Sequence, residues 1–324
     1  MADISAKLVK QLRDKTGAGM MECKKALQEA DGDPEKAEVI LRKRGLAGAT
    51  KKEGRSTKQG LIASHISQDA DLGVLVEVNC ESDFVARTED FQTLAGDIAA
   101  HIAETKPKVV RVEEVTEAER ANFRAHEALY EQQFTKDRNT TVAELVKTKI
   151  AKLGENINVS RFVVYDVNGT GVVGSYVHTG SQIGVLLEVQ APQQVSGKSE
   201  FKTLVHDIAM QVAAANPQCV GRENVAADLL DKERDIQRER ARGEGKPEKM
   251  LDKIVEGRMS KFYEDVCLLD QPFIRENAIS VGELIKTAAG KLGGDISVAR
   301  FIRYKVGDTG DAPGVQESPL PVTA

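Results

Sequence analysis

Apolar residues fall at helical spacing from the first positions of the chain: Ile4, Leu8 and Leu12 are one turn apart with charged residues between them, which is the period of one helix face. This predicts a first helix through Asp14, with Asp3 as its N-cap, broken by TGAG. A second helix over about residues 20–30 stops at Gly32, where the missing Cβ permits a left-handed cap, and Asp33 and Pro34 then open a third. Gly45 is expected to close it. Three helices within residues 1–50 bury little surface and suit a docking unit. KKEGRSTKQG, residues 51–60, reads as its tether.

Beyond residue 60 the pattern changes and then repeats. GVLVEV from Gly73 returns as GVLLEV from Gly184, FQTLAGDIAAHIA from Phe91 as FKTLVHDIAMQVA from Phe201, and LGENINVSRFVVY from Leu153 as LGGDISVARFIRY from Leu292. Internal duplication of this kind defines architecture. The third pair is more widely spaced than the first two, which puts an insertion between 214 and 291. The β-branched blocks read as strands. Phe91, Leu94, Ala95, Ile98 and Ile102 mark an amphipathic helix, repeated by Phe201, Leu204, Val205, Ile208 and Val212. Each copy is thus strand, helix, helix, strand, with hairpins such as one around residues 69–73. An α+β class follows, with small antiparallel sheets covered by helices on one face: a first copy over 61–168 and a second over 169–306.

The insertion, residues 222–268, reads as an antiparallel coiled-coil hairpin of helices 223–242 and 248–268 about the turn GEGKP. Leu251, Ile254, Val255, Phe262 and Val266 would face Val225, Leu229 and Ile236 in a thin seam. Residues 307–324 combine Gly, Pro and acidic side chains without periodicity, the pattern of a disordered tail.

Composition narrows the function. A net charge of -5 gives no field toward phosphate backbones or anionic membranes, and the absence of Trp with 4% aromatic residues removes stacking platforms for single strands. No apolar run approaches the length of a spanning helix and the N-terminus does not pattern as a secretory signal, so a cytoplasmic protein is expected. Cys23, Cys80, Cys219 and Cys267 lie far apart without a CxxC pair, and the five histidines offer no metal pattern. The thiols are expected to be reduced and mostly buried, with no cofactor or metal. Neither GxSxG, HExxH, GxxxxGK[ST] nor GxGxxG occurs, so catalysis is not expected.

Two short motifs remain. In TGAGMMECKKAL, from Thr16, Met20 and Met21 point about 100° apart on a helix, so one is expected to be exposed. In NCESDFVAR, from Asn79, the ordinary reading has Asp83 capping a helix while Phe84 anchors the turn. With the duplicated core and the inserted hairpin, these motifs resemble the elongation factor Ts family over residues 1 to about 306, although that family's second motif more often reads ETDFV. The resemblance implies a non-catalytic guanine-nucleotide exchange factor whose partner is elongation factor Tu, GDP-bound or nucleotide-free, with no nucleic acid, membrane or small-molecule substrate.

It further implies that Phe84 is an exposed wedge beside Asp83, with Glu81, Ser82 and Val85 in the segment acting on the partner's Mg²⁺ site. Arg13, Met20, Met21 and Lys24 would touch the partner's nucleotide domain. Leu153, Gly154, His178 and Ile274 would add contacts, although each is compatible with a purely structural role. Arg275 departs from the apolar residue expected beside Ile274, and the family's helical C-terminal module is replaced by the tail. The three-helix unit also resembles ubiquitin-associated domains, which leaves a ubiquitin-binding or chaperone-like protein as an alternative.

Overall fold

The computed structural model describes residues 4–167 and 169–308. Asp3 and tail residues 309–324 lie outside the described residues. The class is α+β, with every sheet antiparallel.

Helix α1 (Ala6–Thr16) is capped by Ser5, whose Oγ accepts from the Leu8 N–H at 3.2 Å, and it ends at Gly17 in the left-handed conformation. Helix α2 spans Met20–Glu29, and α3 (Pro34–Thr50) starts from Asp33, whose carboxylate accepts from two backbone N–H groups. Val9, Leu12, Cys23, Ala26, Leu27, Ala37 and Leu41 form their common core. The expected stop at Gly45 is not a stop. A Cβ there would stand 2.8 Å from Ala151 Cβ, so this glycine allows α3 to lie close against a later helix, which offsets its poor helix propensity of about 1 kcal/mol.

The segment read as a tether is fastened down. Glu53 and Arg55 carbonyls accept from Asn156 Nδ2 at 3.1 and 2.8 Å, Lys147 pairs with Glu53 at 3.1 Å, and the first strand already begins at Gln59.

The first copy comprises β1 (Gln59–Ile66), β2 (Leu72–Cys80), α4 (Asp83–Ala86), α5 (Glu89–Thr105), α6 (Glu117–Arg120), the small hairpin β3 (Gln133–Phe134) and β4 (Asp137–Thr141), α7 (Val142–Leu153) and β5 (Ile157–Asp166). The second repeats the plan in β6 (Val172–Val177), β7 (Ile183–Gln190), α8 (Gln193–Ser196) and α9 (Ser199–Ala215). The insertion helices α10 (Ala227–Gly243) and α11 (Leu251–Val266) follow, then β8 (Pro272–Phe273), β9 (Glu276–Ser280), α12 (Val281–Leu292) and β10 (Ser297–Lys305).

Sheet orders are β1-β2-β5 and β10-β7-β6, so the two GVL blocks are the central strands. Both read as nearly continuous apolar runs because both faces are covered. On one face Val74, Val76 and Val78 meet Phe91, Leu94, Ile98 and Ile102 of α5, and Val185, Leu187 and Val189 meet Phe201, Leu204, Ile208 and Val212 of α9. On the other face the sheets meet each other: Ile62, Leu75 and Tyr165 pack with Val173, Leu186 and Tyr304.

The contacts are reciprocal, as a pseudo-twofold relation requires. Arg161 lies 4.2 Å over the Tyr304 ring and Arg300 4.1 Å over the Tyr165 ring, and each arginine pairs with the glutamate of its own central strand, Glu77 at 2.8 Å and Glu188 at 2.9 Å. Residues 307 and 308, expected to open the tail, are hydrogen-bonded to the body: Gly307 N–H donates to Glu77 at 2.8 Å and Asp308 N–H to Lys305 O at 3.1 Å.

The insertion is an antiparallel hairpin, but its seam is rotated from the expected one. Leu229 and Ile236 face solvent, while Leu230, Gln237 and Ala241 turn toward the buried Leu251, Val255 and Met259 of α11. Arg238–Asp252 and Arg258–Glu244, at 2.9 and 2.6 Å, cross the pair. Residues 248–250 form a 3-10 turn rather than the first turn of α11. Among the described residues no helix is long and apolar enough to cross a membrane.

Candidate partner-binding surface

The corner after β2 combines an exposed aromatic ring with a fixed backbone. Strand β2 ends at Cys80, and α4 begins at Asp83 with Ser82, not Asp83, as its N-cap. Phe84 on this short helix is 81% exposed, so it does not anchor the turn. Its neighbours do: Ala86 is buried and Val85 packs on the first-copy core. Asp83 is half-exposed and pairs with Arg87 at 2.9 Å. Burial pushes the Cys80 thiol up to about 12, which keeps it protonated beneath the corner.

Two carboxylates hold this corner from opposite sides. Glu155 accepts from Ser82 N–H at 2.9 Å and from Ser82 Oγ–H at 2.6 Å. Glu81 in return accepts from Asn156 N–H at 2.7 Å, with Arg55 Nη1 3.4 Å away. The Phe84 loop and the Leu153–Asn156 loop are thereby locked together. Leu153 is half-buried against the core, and Gly154 is exposed at φ 82, the left-handed cap of α7.

The N-terminal unit reaches this loop through α7. Gly17, the cap of α1, sits so close to Lys152 that a Cβ would be 2.8 Å from that side chain. Lys149 and Lys152 both bond Asp90 at the start of α5, at 3.0 and 2.7 Å, and hold its carboxyl below the usual range. Met20 and Met21 are both exposed, at 44% and 66%, because α2 buries the face carrying Cys23, Ala26 and Leu27. Arg13 and Lys24 are exposed and form no ion pair among the described residues.

His178 and Ile274 form a separate group in the second copy, strung along α9. His178 Nδ1 is 2.9 Å from Tyr176 Oη, and Tyr176 stacks edge-on with His206 at 5.5 Å. One residue on, Asp207 pairs with Arg275 at 2.6 Å, and Gln211 Oε1 accepts from Ile274 N–H at 2.8 Å. Ile274 is 38% exposed at the tip of the β8–β9 turn. Arg275 thus has an ion-pair partner on α9 in place of the expected apolar contact.

A family model described as elongation factor TS matches residues 81–308. Proteins named elongation factor Ts from Trichlorobacter lovleyi, Aquifex aeolicus and a Nostoc species are 41%, 44% and 42% identical to the chain, over 94%, 94% and 95% of it and 93%, 98% and 94% of their own lengths. The chain belongs to the elongation factor Ts family. Membership makes it a translation elongation factor.

Within this elongation factor Ts fold the two copies differ where the corner lies. Helix α8 occupies in the second copy the place of α4, with exposed Gln194 where α4 has Phe84, and Gly294 stands in the repeated LG block where the first copy has Glu155. Sequence reasoning missed Glu155, Asn156, Tyr176 and His206. For Glu155 and Asn156 the signal was present in the two aligned blocks LGENI and LGGDI, where the copies share the fold and diverge in the one carboxylate that holds Ser82.

Proposed function

We propose that the chain is the guanine-nucleotide exchange factor of elongation factor Tu, acting in the cytoplasm on the GDP-bound form and leaving it nucleotide-free. The observation that carries this reading is Phe84: an aromatic ring, 81% exposed, on a backbone that Glu155 and Glu81 hold in place. An exposed Phe is costly to hydrate, and transferring it into a partner contributes about 1.5–3 kcal/mol. Because the corner is already fixed, little of that gain is spent on ordering it.

Inserted between helices of the partner, the ring would displace the elements that hold Mg²⁺ and the phosphates, with Asp83 beside the metal site and Glu81, Ser82 and Val85 completing the segment. GTPase nucleotide affinity depends on that metal and on a cradle of backbone N–H groups, so a small displacement loosens GDP. No bond is made or broken by the factor itself. Arg13, Met20, Met21 and Lys24 would grip the nucleotide domain, the unbranched thioethers adapting to its changing shape. Leu153 and Gly154 extend that contact, while His178 and Ile274 provide a second one through the other copy.

Coupling is reciprocal: a factor that weakens GDP binding is itself released by incoming nucleotide to the same degree. The test loads elongation factor Tu with fluorescent GDP and follows its release on adding the chain. Acceleration that saturates with the chain's concentration is expected, and an unchanged release rate rejects the reading.

A further inference from the structure

The exchange mechanism uses none of the four thiols, and two of them stand together. Cys219 and Cys267 are 48 positions apart and stand at the two ends of the insertion, Cys219 before the turn into α10 and Cys267 directly after α11. An isolated parallel bridge sets them side by side: Cys219 N–H donates to Val266 O at 3.2 Å, and Leu268 N–H donates to Cys219 O at 2.9 Å. Their Sγ atoms are 3.6 Å apart. Cys219 is half-buried and Cys267 is buried. Cys23 and Cys80 are buried elsewhere and donate to the carbonyls of Ala18 and Ser82.

We propose that Cys219 and Cys267 form an oxidation site, in which a low-molecular-weight disulfide converts the pair reversibly into a disulfide across the base of the hairpin. The Cys219 thiolate attacks one sulfur of the small disulfide, an S–S bond forms to Cys219, and the first small thiolate leaves and takes up a proton. Cys267 then attacks Cys219 Sγ and displaces the second small thiolate, which takes up the Cys267 proton as it leaves. Two protein thiols and one small disulfide become one protein disulfide and two small thiols, so the two electrons lost by the protein reside on the small thiols.

Three features favour this pair. Backbones one bridge apart lie within the span a disulfide tolerates, and rotation about Cα–Cβ closes the remaining gap between sulfurs. The order of attack follows from environment: the contact between the two sulfurs holds the Cys219 thiol below its ordinary range and raises that of Cys267, which burial raises further. Cys219 is also the more exposed residue of the two. The product would tie together the two points where the hairpin leaves the second copy, fixing its base until a thiol reductant reopens it.

The test treats the full-length folded chain with oxidised glutathione, alkylates the remaining thiols and maps them by mass spectrometry. Of the four thiols, two are expected to be lost. Peptides carrying Cys219 and Cys267 should appear joined and lighter by two hydrogens, and dithiothreitol should separate them. Cys267→Ser is expected to trap glutathione on Cys219, and Cys219→Ser to leave Cys267 unreacted. A glutathione adduct that persists on Cys219 in the unsubstituted chain, loss of Cys23 or Cys80 at an equal rate, or four unreacted thiols would each overturn the proposal.

Discussion

Phe84 contributes almost nothing to the folded state that it could lose, because its ring touches mostly solvent. Phe84→Ala is therefore expected to change stability by less than about 0.5 kcal/mol, while an interface anchor of this kind is worth about 2 kcal/mol or more, roughly a thirtyfold loss of GDP-release efficiency. Thermal denaturation and release kinetics read the two effects separately, and a large stability loss with exchange intact would make Phe84 a core residue. Glu155 bonds Ser82, and on the proposed reading it acts through that residue. Charge-assisted hydrogen bonds such as its two are worth about 1.5–3 kcal/mol each, so Glu155→Ala is expected to lower both stability and exchange. The discriminating measurement is the double variant. If Glu155 serves to position Phe84, adding Glu155→Ala to Phe84→Ala costs exchange little more than Phe84→Ala alone, whereas full additivity would leave Glu155 a merely structural residue.

Helices α5 and α9 are the same element built twice, and a single difference gives one of them a pH dependence. In α9, Gln211 Nε2 donates to Gln271 at 3.1 Å and its Oε1 accepts from Ile274 N–H. In α5, His101 makes the same pair of bonds, with Gln132 at 2.9 Å and with Thr135 N–H at 3.3 Å. His101 is buried, and burial lowers its pKa below 6.5 despite the opposing hydrogen bond to Gln132. The unfolded chain therefore binds this proton first as pH falls through 6.5, and stability declines below that pH by at most about 1.4 kcal/mol per unit until the folded form also protonates. His101→Gln should keep the native bonds by imitating α9 and should remove this share of the decline, as denaturation at pH 7.5 and pH 5.5 would show; equal slopes in both proteins would refute it. Both helices were legible in sequence from their five apolar positions. Gly45 was not, since a glycine that ends a helix and one that admits a neighbouring helix look alike until Ala151 is in place. Nor could periodicity choose between the adjacent Leu229 and Leu230 as the seam residue of α10.

Duplication was visible in three matched blocks, but what the copies do to each other was not, because a sequence repeat carries no information about which faces meet. The sequence placed helices on one face of each sheet, and only the fold shows that the other face is covered by the other copy. Cys219 and Cys267 were unreadable for the same reason: their proximity is made by the closure of the hairpin between them. The opening glycines of the two GVL blocks mark how tightly the sheets meet. A Cβ at Gly184 would lie 2.4 Å from Ile62 Cγ2 and 3.0 Å from Leu75 Cδ1, and one at Gly73 would lie 2.4 Å from Val173 Cγ1. Each of these methyls belongs to the opposite copy and is packed in the shared core, so it has nowhere to move. In an open strand, replacing glycine by alanine stabilises by reducing chain entropy, and Gly96 in α5 offers a comparable open site, exposed, with nothing within 4 Å of a built Cβ. Gly96→Ala is accordingly expected to stabilise by about 0.5–1 kcal/mol, and Gly184→Ala to destabilise by about 1–3 kcal/mol through overpacking. One chemical change would then carry opposite signs at two sites, as measured by chemical denaturation. A stabilising Gly184→Ala would mean that the two sheets do not press together in solution and that the copies are joined by the chain alone.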